Sequence, residues 1–198
     1  PKYRGSSPIQ YALLNGDKET GVSIINLNKK IDSGAILAQN TFSIANDVNF
    51  GYLYEKLGKL GSELLINVLA DLKNGHSKPI VQDESKKTLA PKIKKEQYKI
   101  DWSNECVTIH NQIRAFDPYP GSYAIFNNKR IKLFGSHVEE IDDNNDIVPG
   151  KLLPSEDKLF IKVNSGLISV SSIQLEGKKK VQSKDFIKTL DNKEYILE

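Results

Sequence analysis

The chain has 198 residues, of which 38% are hydrophobic and 27% are charged, and its mean hydropathy is −0.43. This balance is typical of a folded globular protein of one or two domains, and it argues against a disordered or membrane-embedded chain. The net charge of +3 permits an anionic partner such as nucleic acid but does not require one.

The cysteine count and the hydropathy of the chain indicate the cellular compartment of the protein. Cys106 is the only cysteine, so an intrachain disulfide cannot form. No run approaches the roughly 20 apolar residues of a spanning helix, and the first residues lack the blocks of a signal peptide. We therefore expect a cytoplasmic protein. The chain contains no methionine and opens on Pro-Lys-Tyr-Arg-Gly, which we interpret as the interior of a longer sequence.

The first half of the chain predicts helices and strands in the order of an α/β domain. A short helix over 8–15 ends before Gly16. β-branched and apolar residues over 22–27 and 35–44 predict two strands joined by a turn-rich loop. Apolar residues at helical spacing predict a long helix over 50–74. Its apolar face consists of Leu53, Leu57, Leu60, Leu64, Leu65, Val68, Leu69 and Leu72.

The second half predicts a linker followed by a β-rich region. Periodicity is lost over 76–97, where Lys, Ser and Pro are typical of a connector. Beyond it we predict a helix over 103–115 and then short strands separated by turns, which is the pattern of a small barrel. These strands cover 123–126, 131–138, 159–163 and 167–175.

The linker becomes strongly basic toward its end. From Lys86 to Lys99 there are six lysines and one acid, Glu96. Such a segment suits the phosphate backbone of an RNA stem, because each neutralised phosphate releases counterions. A solvated, disordered connector has the same composition, and charge alone favours that alternative.

Short motifs in both halves resemble the formyltetrahydrofolate-dependent transferase superfamily. Those of the first half are Pro1-x-Tyr3-Arg4-Gly5-x-x-Pro8-Ile9-Gln10, Glu19-Thr20-Gly21-Val22 and Ile31-Asp32-Ser33-Gly34-Ala35-Ile36-Leu37-x-Gln39. The second half is similar to the methionyl-tRNA formyltransferases. Its motifs are Ala90-x-Lys92, Ile100-Asp101-Trp102, Ile113-Arg114-Ala115-Phe116-x-Pro118-x-Pro120-Gly121, and Gly177-Lys178-Lys179 followed by Asp185-Phe186. Each motif alone is weak, but their order and spacing are specific.

The resemblance implies an α/β fold class, in which the C-terminal part of a Rossmann-like formyltransferase domain precedes a small OB-like β-barrel domain. The implied division is 1–75 for the catalytic part, 76–97 for the basic linker and 98–198 for a tRNA-binding domain. In this superfamily an Asn-x-His-x-Ser-x-Leu-Pro motif supplies two of the three catalytic side chains. Its final proline corresponds to Pro1, so we expect the asparagine and histidine to lie upstream and the chain alone to be inactive.

The third catalytic side chain of the superfamily maps onto Asp32. Formyl transfer to an amine passes through a tetrahedral intermediate, and the attacking nitrogen must lose a proton. A carboxylate beside an imidazole keeps it charged and oriented, and through a bound water it can accept that proton. From the residues alone, Asp-Ser-Gly is ordinary turn chemistry, and an Asx-turn onto Gly34 is the alternative.

The same resemblance implies two binding surfaces. The pocket for the co-substrate 10-formyltetrahydrofolate would be lined, largely by backbone groups, by Leu27, Asn28, Lys29, Lys30 and Ile31. Contacts to initiator methionyl-tRNA are expected from Arg4, Lys92, Lys94, Lys95, Lys178 and Lys179. For Arg4 a structural salt bridge is an equal alternative, and each lysine cluster taken alone is an ordinary solvated surface.

Other residue types suggest structural roles. We expect no metal site, because His76, His110, His137 and Cys106 are too scattered for ligand spacing. Aromatic rings stack on bases in proteins that bind single strands. We nevertheless expect core or interdomain packing for Trp102, Phe116 and Tyr119. A monomer is also expected.

The predicted activity is formyl transfer from 10-formyltetrahydrofolate to the amino group of methionine on initiator tRNA, in translation initiation. Two sister activities share the first motifs: formylation of an amino sugar nucleotide and hydrolysis of formyltetrahydrofolate. The basic linker and the Gly177-Lys178-Lys179 segment favour tRNA. A protein of another class, a tRNA-binding module without catalysis, is the expectation for the chain taken alone.

Overall fold

A computed structural model describes residues 1–139, 148–191 and 193–198. The chain forms two compact units. The first unit comprises 1–12 and 17–93, and the second comprises 13–16 and 94–198. Within the described residues, no helix is long and apolar enough to cross a membrane.

The first unit is built on an antiparallel hairpin. Helix α1 (Pro8–Leu14) precedes strands β1 (Glu19–Ile25) and β2 (Ile36–Ser43), and the two strands pair along their length. The register shifts between Ile24 and Ile25, next to the loop that joins the strands. The predicted helix and both predicted strands are confirmed, with small differences at their ends.

Helix α2 (Phe50–Lys73) packs one face on this hairpin. Asn49 caps its N-terminus by accepting a hydrogen bond from the Tyr52 N–H at 2.9 Å, and Gly75 follows its end with a φ of 73°. The buried residues of the helix are Leu53, Leu57, Leu64 and Val68. Three residues of the predicted apolar face are exposed instead, because a two-stranded sheet covers only one side of the helix: Leu65, Leu69 and Leu72.

Residues 76–93, which lie in the predicted linker, belong to the first unit and pair with its earlier residues through backbone hydrogen bonds. Ile80 and Ile36 exchange two such bonds, at 2.7 and 2.8 Å, and the Ala90 N–H donates to the Arg4 carbonyl at 2.8 Å. A short 3₁₀ turn, Glu84–Lys86, interrupts the segment. Composition indicated an aperiodic connector, but these pairings depend on residues distant in the sequence.

In its described residues, the second unit contains an antiparallel sheet, two α-helices and a 3₁₀ turn, Lys95–Tyr98. Its elements are α3 (Cys106–Ala115), β3 (Ser122–Phe126), β4 (Lys129–Glu139), β5 (Leu152–Pro154), β6 (Leu159–Val163), β7 (Gly166–Leu175), β8 (Val181–Gln182) and α4 (Ser183–Ile187). The strands are hydrogen-bonded in the order β3-β4-β7-β6-β5, and β8 pairs with β7. The helix and the four strands predicted here are confirmed, whereas β5, β8 and α4 were not predicted.

Alternating apolar side chains of this sheet form the core of the second unit. Leu133, Ile161 and Ile168 are fully buried, and α3 adds Ile109 and Ile113 from the other side. Burial alternates strictly in β3, whereas β4, β6 and β7 also contain consecutive buried residues.

The last residues of the chain contact both edge strands of the sheet. Ile125 on β3 exchanges two backbone hydrogen bonds with Glu198, at 2.7 and 3.0 Å. Leu152 on β5 donates to the Tyr195 carbonyl at 2.8 Å, and Leu197 donates to the Gly150 carbonyl at 2.9 Å. One short segment thus connects the two ends of the hydrogen-bonded path.

Candidate active site

Asp32 lies in the loop between β1 and β2, in a left-handed conformation with a φ of 51°. Its Oδ2 atom accepts a hydrogen bond from the backbone N–H of Gly5 at 2.8 Å. The Asx-type contacts of this loop belong to Asn28, whose Oδ1 accepts from the Lys30 N–H at 3.0 Å and the Ser33 hydroxyl at 2.9 Å. Aspartate adopts the left-handed conformation more readily than most residues, and here a residue distant in sequence holds its carboxylate in one position.

The Asp32 side chain is exposed to solvent and lines a cleft of about 390 Å³, which places its carboxylate at the rim. Most of the cleft is apolar. The apolar lining residues are Pro1, Pro8, Ile9, Val22, Ile25, Ile36 and Leu57. A carboxylate beside an apolar concavity is the arrangement that a small-molecule site requires, because apolar walls bind the ligand and few polar groups orient it.

The side chain of Gln82 holds the Asp32 loop in place through two hydrogen bonds. Its Nε2 donates to the Asp32 carbonyl at 2.9 Å and to the Gly34 carbonyl at 2.7 Å, and its side chain is only 8% exposed. A Cβ on Gly34 would lie 1.6 Å from the Asn26 carbonyl oxygen, so no other residue fits that turn. The loop therefore has a defined shape although it contains no core residue.

Arg4 is the other partner of Gln82. Its Nε and Nη2 donate to Gln82 Oε1 at 3.2 and 2.8 Å, and Nη2 also forms a 2.7 Å ion pair with Glu84. The hydrogen bond from Arg4 holds the pKa of the Glu84 carboxyl below its usual range. Because Arg4 is buried and already paired, these contacts favour the salt-bridge alternative over a contact to a tRNA phosphate.

The predicted folate-binding residues follow β1 and lead to Asp32. All five are exposed: Leu27, Asn28, Lys29, Lys30 and Ile31. Leu27 and Ile31 are 97% and 79% exposed, so two large apolar side chains of this loop face solvent. The structure thus brings an apolar, accessible surface next to the catalytic candidate.

The lysines predicted to contact tRNA are exposed in both units. Lys92 belongs to the first unit, and the others belong to the second: Lys94, Lys95, Lys178 and Lys179. Among the described residues, none of these five lysines forms an ion pair. Their charges are therefore available to an anionic partner.

The predicted aromatic residues divide into two groups. Trp102 is 6% exposed and Phe116 is 1% exposed, so core packing is confirmed for both. Tyr119 is 79% exposed, and the packing prediction is wrong for it. The reason is local: the Phe116–Gly121 turn buries its first residue and directs Tyr119 outward.

No motif or periodicity points to Gln82, which holds the Asp32 loop. It lies in an aperiodic segment, 50 residues from Asp32. Its sequence position carries no motif, and only its buried hydrogen bonds identify its role. In the ranges 1–139, 148–191 and 193–198, no three His, Cys, Asp or Glu side chains are grouped as metal ligands.

Two family models match this chain and define its class. The model described as "Formyl transferase" matches residues 1–69, and the model described as "Formyl transferase, C-terminal domain" matches residues 92–191. The chain belongs to the formyl transferase family. The resemblance predicted from the motifs is therefore confirmed.

This chain is similar to curated relatives that are named methionyl-tRNA formyltransferase. A methionyl-tRNA formyltransferase of Dictyoglomus turgidum is 40% identical over 94% of this chain and 60% of its own length. Another, of Streptococcus uberis, is 36% identical over 96% of this chain and 60% of its own length. The chain thus spans about 60% of the length of the curated relatives it matches.

A solved structure shares the α/β architecture. HypX from Aquifex aeolicus, solved in complex with tetrahydrofolic acid, has a TM-score of 0.74 and 22% identity, over 94% of this chain and 33% of HypX. At this identity the likeness concerns the fold. The α/β fold class predicted from the sequence is confirmed at that level.

Proposed function

We propose that the full-length protein transfers a formyl group from 10-formyltetrahydrofolate to the amino group of methionine carried on initiator tRNA. The observation that carries the proposal is the Asp32 carboxylate, held at the rim of an apolar cleft by the Gly5 N–H. The name shared by the curated relatives supports tRNA rather than an amino sugar as acceptor.

Asp32 is suited to the proton transfer that this reaction requires. One carboxylate oxygen, Oδ2, is occupied by Gly5, whereas Oδ1 has no hydrogen bond among the described residues. Oδ1 is therefore available to a substrate proton, a water or an imidazole. The amine becomes a competent nucleophile only as it loses its proton, so a fixed acceptor beside it lowers the barrier. Gln82 and Gly34 keep this acceptor in place.

The loop before Asp32 is the proposed surface for the folate co-substrate. Its residues are Leu27, Asn28, Lys29, Lys30 and Ile31. The exposed side chains of Leu27 and Ile31 suit a flat aromatic ring, and the backbone of an exposed loop suits its polar edge. The arrangement supports binding next to the carboxylate that acts on the formyl acceptor.

The proposed tRNA contacts are Lys92, Lys94, Lys95, Lys178 and Lys179, whose charges are unpaired among the described residues. With them we propose the functional division 1–75, 76–97 and 98–198. The first part would complete a Rossmann-like domain, and the last would be an OB-like barrel. The contacts of the C-terminal segment with both β3 and β5 support closure of that sheet.

Formyl transfer by the full-length protein tests the function directly. We expect transfer from 10-formyltetrahydrofolate to methionyl initiator tRNA, slow transfer to an amino sugar nucleotide, and little release of formate when no acceptor is present. Faster transfer to the sugar would identify a sugar formyltransferase. Rapid formate release without acceptor would identify a hydrolase. Binding of tRNA without either reaction would leave a tRNA-binding module.

A further inference from the structure

The outer face of the β3 and β4 pair carries aromatic and basic side chains together. Tyr123 on β3 lies opposite Lys132 on β4. Arg130 precedes Lys132 by two residues and therefore projects to the same face. The Arg130 guanidinium lies over the Tyr123 ring, 4.9 Å from its centroid. This face is therefore basic around an aromatic ring.

A fixed turn holds Tyr119 beside this face. Asp117 is buried, and its Oδ2 accepts a hydrogen bond from the Gly135 N–H at 2.9 Å. The Gly121 N–H donates to the Phe116 carbonyl at 2.9 Å, which closes the turn. Proline residues on both sides of Tyr119 fix the backbone φ next to it. The turn thus presents a solvent-exposed ring on a rigid support.

The turn packs directly on β4. A Cβ on Gly121 would lie 3.0 Å from the Phe134 ring and 3.1 Å from Lys132 Cδ. Lys180 Nζ lies 3.9 Å from the centroid of the same Phe134 ring. Because Tyr119 is two residues from Gly121, their Cα atoms are at most about 7 Å apart. The backbone of Tyr119 therefore lies close to Lys132, and Lys180 contacts the same Phe134 ring that the turn packs on.

This surface has an excess of positive charge. Two acids are adjacent: Glu176, whose Oε2 accepts from the Arg130 backbone N–H at 3.1 Å, and the buried Asp117, which accepts from the Gly135 N–H. Lys132 and Lys180 form no ion pair among the described residues. An exposed aromatic ring near lysines that form no ion pair is complementary to unpaired nucleotides, whose bases stack on rings while their phosphates attract ammonium groups.

We propose that Tyr119, Tyr123, Arg130, Lys132 and Lys180, here called the Tyr119 platform, bind unpaired nucleotides of an RNA. The Tyr119 ring stacks on a base, and Lys132 and Lys180 contact the flanking phosphates. The identity of the RNA as tRNA rests on the proposed function. The platform adds to that function a contact that requires single-stranded nucleotides rather than a helical stem.

The test compares Tyr119→Ala and Tyr119→Phe with a matched control, Tyr54→Ala, which removes a tyrosine that is 62% exposed on α2. Affinity is measured for initiator tRNA and for a short single-stranded RNA that contains 2-aminopurine. We expect Tyr119→Ala to weaken binding of both RNAs by roughly 5- to 150-fold, the value of one stacked base. Tyr119→Phe and Tyr54→Ala should bind like the unaltered protein.

Two further readouts separate stacking from loss of folding. The 2-aminopurine fluorescence should be quenched on binding to the unaltered protein and to Tyr119→Phe, but not by Tyr119→Ala. Lys132→Ala should lower the slope of log affinity against log salt by about one. The thermal unfolding midpoint of Tyr119→Ala should equal that of the unaltered protein, because the side chain is exposed.

The outcomes distinguish the platform from the proposed function. If tRNA binds and Tyr119→Ala behaves like Tyr54→Ala, the platform is wrong and the proposed function stands. If tRNA does not bind but the short RNA binds in a Tyr119-dependent way, the platform stands without the tRNA function. If neither RNA binds, both are wrong.

Discussion

The Asp32 loop of the first unit and the sheet of the second unit are stabilised by different interactions. The loop is held by Gln82, Arg4 and a glycine with no room for a side chain. The sheet is held by fully buried residues such as Ile161 and Ile168. Polar contacts are directional, so they suit a position where one carboxylate must have one orientation. Apolar burial is not directional and suits a scaffold.

The largest loss of stability is expected when a side chain is removed from the apolar core of the second unit. Ile161→Ala removes a fully buried side chain and leaves a cavity, so the free energy of unfolding of the second unit should fall by roughly 2–5 kcal/mol. Chemical denaturation followed by fluorescence of Trp102, which lies in this core, reports on that unit. A loss below about 1 kcal/mol would mean that the core does not hold the sheet.

The second largest loss of stability is expected in the Asp32 loop, which is held by polar contacts. Gln82→Leu leaves two backbone carbonyls and part of the Arg4 guanidinium without partners, and it should cost roughly 1–3 kcal/mol. Gln39→Leu is the control, because Gln39 is an exposed strand residue bonded only to Ser23. Hydrogen exchange should increase at the Asp32 loop in Gln82→Leu alone. Equal exchange in both variants would contradict the role of Gln82.

One substitution, at an exposed position of α2, is expected to increase stability rather than decrease it. A Cβ on Gly58 in α2 would meet no atom within 4 Å. Alanine lowers the backbone entropy lost in a helix, so Gly58→Ala should raise the stability of the first unit by about 0.5–1 kcal/mol. Thermal unfolding measures the change. A decrease would show that the face of α2 around Gly58 is occupied.

The smallest expected change is in the dependence of folding stability on pH. The hydrogen bond from Arg4 lowers the Glu84 pKa from its ordinary value of 4.5. A lowered carboxyl pKa contributes stability above the unfolded value, and this contribution is lost as the pH falls through the folded value. The unaltered protein should therefore lose slightly more stability than Glu84→Gln as the pH falls below 4.5. Parallel pH profiles would show that the ion pair of Arg4 and Glu84 contributes nothing to stability.

Elements with a repeating local pattern could be predicted from the sequence, whereas very short elements and segments held by distant contacts could not. Local periodicity predicted α1, α2 and the longer strands because these patterns repeat within a few residues. Two-residue β8 and three-residue β5 are too short to show a pattern. The C-terminal segment has no pattern of its own, and it is placed by backbone hydrogen bonds to Ile125 and Gly150.

The candidate site was predictable only in part. The motif around Asp32 made its carboxylate the catalytic candidate, since motif residues are contiguous in sequence, and this role stays a prediction. Gln82 was not predictable, because a buried amide that bonds distant carbonyls has no sequence signature. The exposure of Tyr119 was also missed, since the same aromatic residue type occupies cores and binding surfaces.

The most direct test of the account is the turnover of Asp32→Asn in the full-length protein, with Asp47→Asn as the control for loss of an exposed acid on the first unit. Asparagine keeps the size of the side chain but accepts no proton. We expect turnover to fall by roughly 100- to 10,000-fold while tRNA affinity is unchanged. Turnover equal to that of Asp47→Asn would contradict the account, because the carboxylate at the cleft would then take no part in formyl transfer.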